Sequence, residues 1–263
     1  MNFTAPSPCS RRGQGEVEKS YIFAYEYKIA SMRLKRLLVL TLIIASVNAF
    51  AQKANLPLVK SPTGDSANSY SKTIGDAFIG LGFVLGGYST GAQINYGQSR
   101  EFIVGGGIGR RWIKWNGIGI DIYYKSTGYY LAQDSGKILP NSTLHKSEKI
   151  SFDNIGGLAY DRFYLGTFFV DAGFYFDWAF YSKHITWDSY PGSYGGTDKV
   201  IEKQLDFVNN TNYGLTFRGG KTNGVSLYFN YRLSKVFKGA SSNYPAFPQL
   251  PVYTLGIIVG LHA

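Results

Sequence analysis

The sequence predicts an all-β protein, an eight-stranded antiparallel up-and-down transmembrane β-barrel that follows a cleaved N-terminal signal peptide. From residue 76 onward, eight segments alternate apolar residues with small or polar ones, and the connections between them are alternately long and short. A short apolar segment behind a basic cluster precedes them and predicts the signal peptide. Outer-membrane barrels combine short periplasmic turns with longer extracellular loops, so the pattern of connections favours this fold.

The alternation is clearest in the fifth segment, residues 167–183. Its even positions are all apolar: Phe168, Val170, Ala172, Phe174, Phe176, Trp178 and Phe180. Asp171 and Asp177 are among its odd positions, and successive side chains of a strand point to opposite faces, so one face is apolar and the other charged. A soluble sandwich would bury the apolar face, whereas a membrane barrel turns it toward lipid and keeps the charges inside.

The other segments support the same count less uniformly. The first segment has an apolar face of Ala77, Ile79, Leu81, Phe83 and Leu85. The third, sixth, seventh and last segments alternate over residues 118–125, 205–218, 225–234 and 253–261. The second segment, residues 100–115, loses its alternation near Arg110 and Arg111, where we expect a β-bulge. The fourth, residues 149–160, is interrupted by Asn154.

The connections set the orientation of the predicted barrel. The short connections cover residues 115–117, 161–166 and 219–223. Asn116-Gly117 is a strong hairpin signal, because a type I′ turn needs positive φ at both central residues. The long connections cover residues 89–99, 129–147, 184–204 and 238–250. With eight strands, both ends of the barrel fall at the short-turn side, which predicts N- and C-termini in the periplasm.

Residues 32–51 predict the signal peptide. They combine a basic cluster with an 11-residue apolar core at 37–47, and Ala49 and Ala51 supply the small residues that a signal peptidase reads. We therefore expect cleavage before Gln52. Eleven apolar residues are too few to span a bilayer as a helix, so a helical membrane anchor is the less favoured interpretation.

Residues 1–31 are interpreted as a disordered over-extension of the gene prediction. They contain Cys9, the only cysteine, so the mature chain is expected to have no disulfide or thiol chemistry. Residues 52–73, with several Pro, Gly, Ser and Asn, predict a flexible periplasmic linker, and residues 74–263 form the predicted barrel. In the linker, Ser66 lies in a short motif that resembles an O-glycosylation signal of Bacteroidota-type bacteria.

The charge balance does not point to nucleic acid. The chain has 27 Lys and Arg against 17 Asp and Glu, a formal charge of +10. Without residues 1–51, which hold seven basic and three acidic residues, 20 basic and 14 acidic residues remain, a formal charge of +6. These charges are scattered and form no basic stripe, so we expect no nucleic-acid partner.

A structural salt-bridge network is predicted inside the barrel. Seven charged residues fall on predicted inward faces: Asp121, Lys125, Asp171, Asp177, Asp206, Arg218 and Arg232. Eight strands leave an interior just wide enough for side chains to fill, and charges in so narrow a space must pair. An ion path is the less favoured alternative, and the strand number excludes a wide diffusion pore.

The histidines are candidate catalytic groups, because some small outer-membrane barrels modify lipids. The chain has three: His145, His184 and His262. His184 and Thr186 resemble the His-x-Ser of the deacylases only faintly, because threonine replaces the serine. Nucleophilic catalysis also needs a group that orients the base, which the sequence does not identify. We predict no enzyme and no catalytic, metal or cofactor site.

The fourth and fifth segments carry a family resemblance. Residues 152–160 form a polar-interrupted apolar strand with a Gly-Gly pair, followed by Phe-Tyr-Leu at 163–165 and an acidic–small–Gly pattern at 171–173. With the closing segment 255–261, this order resembles the PorT-like outer-membrane β-barrels of Bacteroidota-type bacteria, over about residues 74–261. The resemblance implies the barrel fold and an outer-membrane location. The prototype of that family takes part in protein secretion across the outer membrane.

One feature departs from this pattern. Outer-membrane barrels usually end on an aromatic residue, whereas this chain ends Leu261-His262-Ala263. The sequence predicts a small non-catalytic outer-membrane barrel, a structural or interaction component of the envelope that could be linked to protein secretion. Its expected partners are outer-membrane lipid, lipopolysaccharide and periplasmic or secretion-machinery proteins. The alternatives are a transport barrel for a small or apolar ligand and, less favoured, a lipid-modifying enzyme.

Overall fold

The computed structural model describes residues 72–86, 89–189, 197–242 and 244–262. Residues 1–31, the predicted signal peptide, its cleavage site and Ser66 lie outside this described part. All regular secondary structure within it is β-strand. In these residues, no helix is long and apolar enough to cross a membrane.

The described residues form nine strands, which are rich in the β-branched and aromatic residues that favour a pleated sheet. Their bounds are β1 (Lys72–Leu85), β2 (Arg100–Ile113), β3 (Asn116–Tyr130), β4 (Ser147–Leu165), β5 (Phe168–Ser189), β6 (Thr197–Lys203), β7 (Thr211–Lys221), β8 (Asn223–Arg232) and β9 (Tyr253–His262). β1 begins at Lys72, inside the stretch predicted as linker.

The strands form an antiparallel sheet that closes into a ring. Consecutive strands pair from β1 to β5, β5 then pairs with β7, and β7, β8 and β9 pair in order. β9 pairs back with β1 from Tyr253 opposite Leu85 to His262 opposite Asp76. Eight strands therefore close the ring, as predicted.

β6 is a ninth strand that the alternation did not predict. It lies in the connection predicted as residues 184–204 and pairs only with the far part of β5, from Lys183 opposite Lys203 to Ser189 opposite Thr197. β5 and β6 thus form a hairpin that extends beyond the ring. The prediction of a plain long connection here is wrong, because both halves of the segment are extended and paired.

Two other predicted boundaries are also wrong. β4 continues to Leu165, so the turn assigned to residues 161–166 begins later, and Gly166 occupies it with a φ of 69° that suits glycine. β7 begins at Thr211, so residues 205–210 belong to a connection and not to a strand. The sixth segment therefore begins later than predicted, and the fourth ends later than predicted.

The register contains two irregularities. The bulge expected near Arg110 and Arg111 is confirmed by a shift between Arg111 and Ile113 opposite β3. A second shift separates Asp153 and Asn154, which face Tyr181 and Ala179 of β5. Phe180 is the extra residue at this step. Beyond it, the outward positions of β5 change from even to odd numbers.

The apolar face of each ring strand is exposed and the charged face is buried. On β5, Phe174 and Phe176 are 47% and 49% exposed, whereas Asp171 and Asp177 are 0% and 3% exposed. Large exposed apolar side chains occur on all eight ring strands, and we call this surface the apolar band. This is the orientation of faces predicted from the alternation in the fifth segment.

Three apolar clusters fill the interior at different heights. Near the short connections lie Ile74, Tyr164 and Phe169. In the middle lie Phe78, Ile103, Tyr123, Leu158, Tyr160, Tyr175, Tyr228 and Ile258. At the long-connection end, buried residues from strand ends and connections pack together, including Ile94, Leu139, Leu205, Val208, Phe237 and Leu250. The long connections thus fold inward over this end of the ring.

Tyrosine rings packed on glycines fill the narrow middle of the ring. A Cβ at Gly82 or Gly256 would collide with the Tyr228 side chain, and one at Gly119 would collide with Tyr160. These glycines leave room for rings that reach across the interior, so the ring is filled by side chains at this height.

Candidate functional site

Two charged clusters lie inside the ring. The basal ion cluster, nearer the short connections, consists of Asp76, Asp121, Tyr160, Arg162, Asp171 and Arg218. The central ion cluster, nearer the long connections, consists of Glu101, Tyr123, Lys125, Thr127, Asp177 and Tyr228. Each cluster draws its members from strands far apart in the sequence, because opposite walls of the ring face each other.

Arg162 is fully buried between two carboxylates. Its Nη1 and Nη2 donate to Oδ1 and Oδ2 of Asp76 at 3.0 and 2.7 Å, and its Nε and Nη2 donate to Oδ1 and Oδ2 of Asp171 at 2.7 and 2.9 Å. The guanidinium carbon lies 4.4 Å from the centroid of the Phe169 ring. Both interactions are bidentate, the strongest geometry for a guanidinium and a carboxylate.

Arg218 extends this cluster across the ring. Its Nη1 donates to Oδ2 of Asp121 at 2.7 Å, and its Nε donates to Oδ2 of Asp171 at 3.0 Å. Asp171 therefore bridges Arg218 and Arg162, and the hydroxyl of Tyr160 donates to Asp76 at 2.7 Å. The chain of contacts ties β1, β3, β4, β5 and β7 together through the interior.

The central ion cluster is built around Lys125 and Asp177. The Lys125 ammonium donates to Asp177, and the hydroxyl of Tyr123 donates to the other oxygen of the same carboxylate at 2.7 Å. Glu101 accepts hydrogen bonds from the Tyr228 hydroxyl at 3.0 Å and from Thr127. Burial of these charges is tolerated because each has a partner of opposite charge or a hydrogen-bond donor.

Arg232 lies above this cluster and is 9% exposed. Its Nη1 donates to the Tyr129 hydroxyl at 3.2 Å and its Nη2 to the Leu250 carbonyl at 2.6 Å. Among the described residues, no carboxylate forms an ion pair with it. Arg232 also lines a polar cavity of about 40 Å³, which has room for only a few water molecules.

A further polar cluster lies where the β5–β6 hairpin leaves the ring, beyond the apolar band. In this histidine cluster, His184 contacts Glu148 through Nε2 at 2.6 Å and Glu202 through Nδ1 at 3.0 Å. Lys137 and Gln133 also donate to Glu148. Burial alone would lower the pKa of His184, but the two carboxylates outweigh it and raise the pKa above the ordinary 6.5.

The interior contains most of the charged residues predicted from the alternation. Six of the seven are buried: Asp121, Lys125, Asp171, Asp177, Arg218 and Arg232. The prediction for Asp206 is corrected by the structure, because this residue is exposed in the connection between β6 and β7. Its backbone carbonyl accepts a hydrogen bond from Lys238 at 2.6 Å. The neighbouring Leu205 is buried instead, so the inward positions predicted for the sixth segment do not hold in this connection.

Sequence reasoning missed three buried charges that organise the clusters. Asp76 shares the inward face of β1 with Phe78, a signal that alternation alone could have identified. Glu101 lies on β2, where the expected bulge obscured the alternation. Arg162 was assigned to a turn and is in fact an inward position of β4. These three residues supply partners that the predicted set lacked.

The histidines do not form the arrangement considered for catalysis. Both ring nitrogens of His184 contact carboxylates, and Nδ1 of His145 contacts Asp188 at 2.9 Å. Within the part of the chain that the structure describes, no hydrogen bond joins His184 to Thr186, and no group of three or more His, Cys, Asp or Glu could hold a metal ion. The side chain of His262 lies outside the described part.

No protein-family model matches this chain, and a comparison with curated proteins finds no match.

Proposed function

We propose that this chain is a small, non-catalytic outer-membrane β-barrel that serves as a structural or interaction component of the envelope. The observation that carries the proposal is the distribution of side chains on the closed ring, apolar outside and charged inside. Water-soluble proteins rarely expose contiguous apolar surface of this extent. A ring that surrounds itself with such a surface, and leaves no ring strand unpaired, suits the interior of a bilayer.

The lengths and ends of the strands support a membrane location. The ring strands have 10 to 22 residues, and a tilted membrane strand needs about 9–11. Trp112 and Trp115 are exposed near the short connections, while Tyr130 and Trp187 lie at the opposite end. Aromatic residues at both ends of an apolar band are typical of transmembrane barrels.

The filled interior favours a structural or interaction role over transport. The two ion clusters and the three apolar clusters together fill the interior of the ring, and the cavity beside Arg232 is too small for an organic solute. The transport alternative would require these side chains to move together. A lipid-modifying enzyme is less favoured still, since His184 is engaged by two carboxylates.

The cellular setting is part of the same proposal. A cleaved signal peptide at 32–51 would deliver the chain to the periplasm, and the pairing of β1 with β9 at the short-connection side supports the proposal that both ends of the ring face the periplasm. The resemblance to PorT-like barrels adds a role connected with protein secretion. Periplasmic or secretion-machinery proteins are then the proposed partners, at the short connections or through the linker.

Fractionation and conductance test this function. The full chain, produced in a Gram-negative host, should be recovered in the outer membrane and should migrate differently on gels before and after boiling. The purified protein in planar bilayers should give no steady conductance comparable to that of a general porin. Recovery as a soluble periplasmic protein would contradict the membrane location, and porin-like conductance would contradict the filled interior.

A further inference from the structure

A basic and aromatic surface lies on the outer face of β4, β5 and β6, together with the end of β3. We call it the lysine–aromatic patch, and its members are Tyr130, Lys149, Tyr181, Lys183, Trp187, Lys199 and Lys203. It begins directly beyond Trp178 and Phe180, the last exposed apolar residues of the band on β5. The patch therefore borders the apolar band at the long-connection end.

The strand register brings these residues onto one face. Lys183 faces Lys203 across the β5–β6 pair, and Trp187 faces Lys199. On the other side, Lys149 of β4 faces Tyr130 of β3. Directly opposite residues of antiparallel strands have neighbouring side chains, so these lysines and rings lie on one face, with Ile185 and Ile201 between the two β5–β6 pairs.

The patch carries a strong positive charge. The described residues of this outer face include four lysines and one carboxylate, Asp153, which is buried and accepts hydrogen bonds from Tyr124 and Ser126. Glu202 points to the opposite face of β6, where it contacts His184. Lys183 and Lys203 occupy directly opposite positions of the β5–β6 pair, so their ammonium groups belong to the same part of this face.

The aromatic rings support the ammonium groups at the surface. Tyr130 and Trp187 stack with 6.4 Å between ring centroids and an interplanar angle of 10°. Lys149 lies 5.0 Å from the Tyr130 centroid, and Lys199 lies 5.6 Å from the Trp187 centroid. Such rings typically occupy the boundary between acyl chains and headgroups. At the corresponding end of β8 and β9, Tyr231 and Tyr253 also stack.

We propose that the lysine–aromatic patch binds the phosphorylated headgroup of an anionic membrane lipid in the leaflet beside the long connections. The lysines would contact the phosphate oxygens, and the acyl chains would lie along Trp178, Phe180 and the rest of the apolar band. The inference rests on the proposed membrane location. A lipid fits better than free phosphate, because the charged patch and the apolar band form one continuous surface.

The test uses a patch variant with a matched control. The patch variant combines Lys183→Gln, Lys199→Gln and Lys203→Gln. The control combines Lys72→Gln, Lys114→Gln and Lys221→Gln, which removes the same charge from exposed lysines at the short-connection end. Each protein is inserted, at low salt, into phosphatidylcholine vesicles with and without a phosphorylated lipid A. Its thermal unfolding midpoint is the temperature at which half of the protein has lost the gel migration of the unboiled, folded form. Bound lipid is counted by native mass spectrometry.

In vesicles with lipid A, the wild type and the control should unfold at a higher midpoint than in vesicles without it, and should retain bound lipid A. The patch variant should lose most of this stabilisation and most of the bound lipid A. Equal stabilisation of the patch and control variants would overturn the proposal while leaving the membrane location intact. Failure of all three proteins to insert into vesicles would overturn the membrane location and the patch with it. If inorganic phosphate alone reproduced the stabilisation, the patch would be a phosphate site and not a lipid site.

Discussion

At the scale of single residues, the basal ion cluster consists of charged side chains that are almost completely buried. Arg162 and Asp171 are 0% exposed, and Asp76 is 3% exposed. The free-energy cost of burying such groups is offset only while each keeps its partners. Arg232 is a natural comparison, because it is nearly as buried but binds only the Tyr129 hydroxyl and a backbone carbonyl.

We expect Arg162→Met to destabilise the protein by about 3–5 kcal/mol, because the bidentate contacts that Arg162 makes with Asp76 and Asp171 are lost while both carboxylates stay buried. Arg232→Met leaves only uncharged groups unpaired and should cost about 1–3 kcal/mol. Adding Asp76→Leu to Arg162→Met should recover part of the loss. Urea unfolding of the heat-modifiable form measures all three. If Arg162→Met unfolded like the wild type, the cluster would not be a source of stability, and porin-like conductance of the same variant would indicate that the cluster controls passage through the ring.

At the scale of elements, the β5–β6 hairpin is the part of the sheet with the fewest constraints. β6 has seven residues and one neighbour, and its outer edge is unpaired within the described sheet. The histidine cluster fixes the base of this hairpin, since His184 links Glu148 of β4 to Glu202 of β6. The charge of this imidazole therefore contributes to the attachment of the hairpin, beside the backbone pairing of β6 with β5.

The raised pKa of His184 determines how the stability of the hairpin changes with pH. The imidazolium contributes stability that is fully present below pH 6.5 and is lost as the pH rises through the raised pKa of the folded state. We expect amide hydrogen exchange in β6 to increase with alkaline pH, after correction for the intrinsic exchange rate. His184→Gln should remove this pH dependence, and His145→Gln should retain it. An unchanged pH dependence in His184→Gln would show that another group controls the hairpin.

At the scale of the whole molecule, the outward apolar band decides between a membrane barrel and a soluble ring. We expect Phe174→Arg to cost about 2–4 kcal/mol in lipid and to impair assembly, because the arginine would face the middle of the bilayer. Phe174→Leu is the matched control and should assemble normally. Folding yield in vesicles and in detergent measures the effect. Wild-type yield of Phe174→Arg in both media would indicate that the band faces water.

The parts of the fold that alternation predicts are those governed by local sequence. A period of two residues marks which face of a strand is apolar, and this was sufficient for eight ring strands and the burial of Asp171 and Asp177. β6 escaped prediction because it pairs inside a connection without a clear apolar face. The partners of Arg162 and Arg218 could not be predicted either, because contacts across a ring depend on the shear between strands.

Because β1 pairs with β9, the ring cannot close without β9, the last described strand. During synthesis, β1 is complete long before Tyr253 is added, yet its edge finds its partner only then. Until that moment, the edges of β1 and β8 carry amide and carbonyl groups without a strand partner, and such groups are costly to leave unpaired away from water. In the proposed outer-membrane location, we therefore expect assembly to need a factor that shields the open edges, or insertion that occurs together with closure. For the same reason, truncation before β9 would open the whole ring and not merely remove one strand.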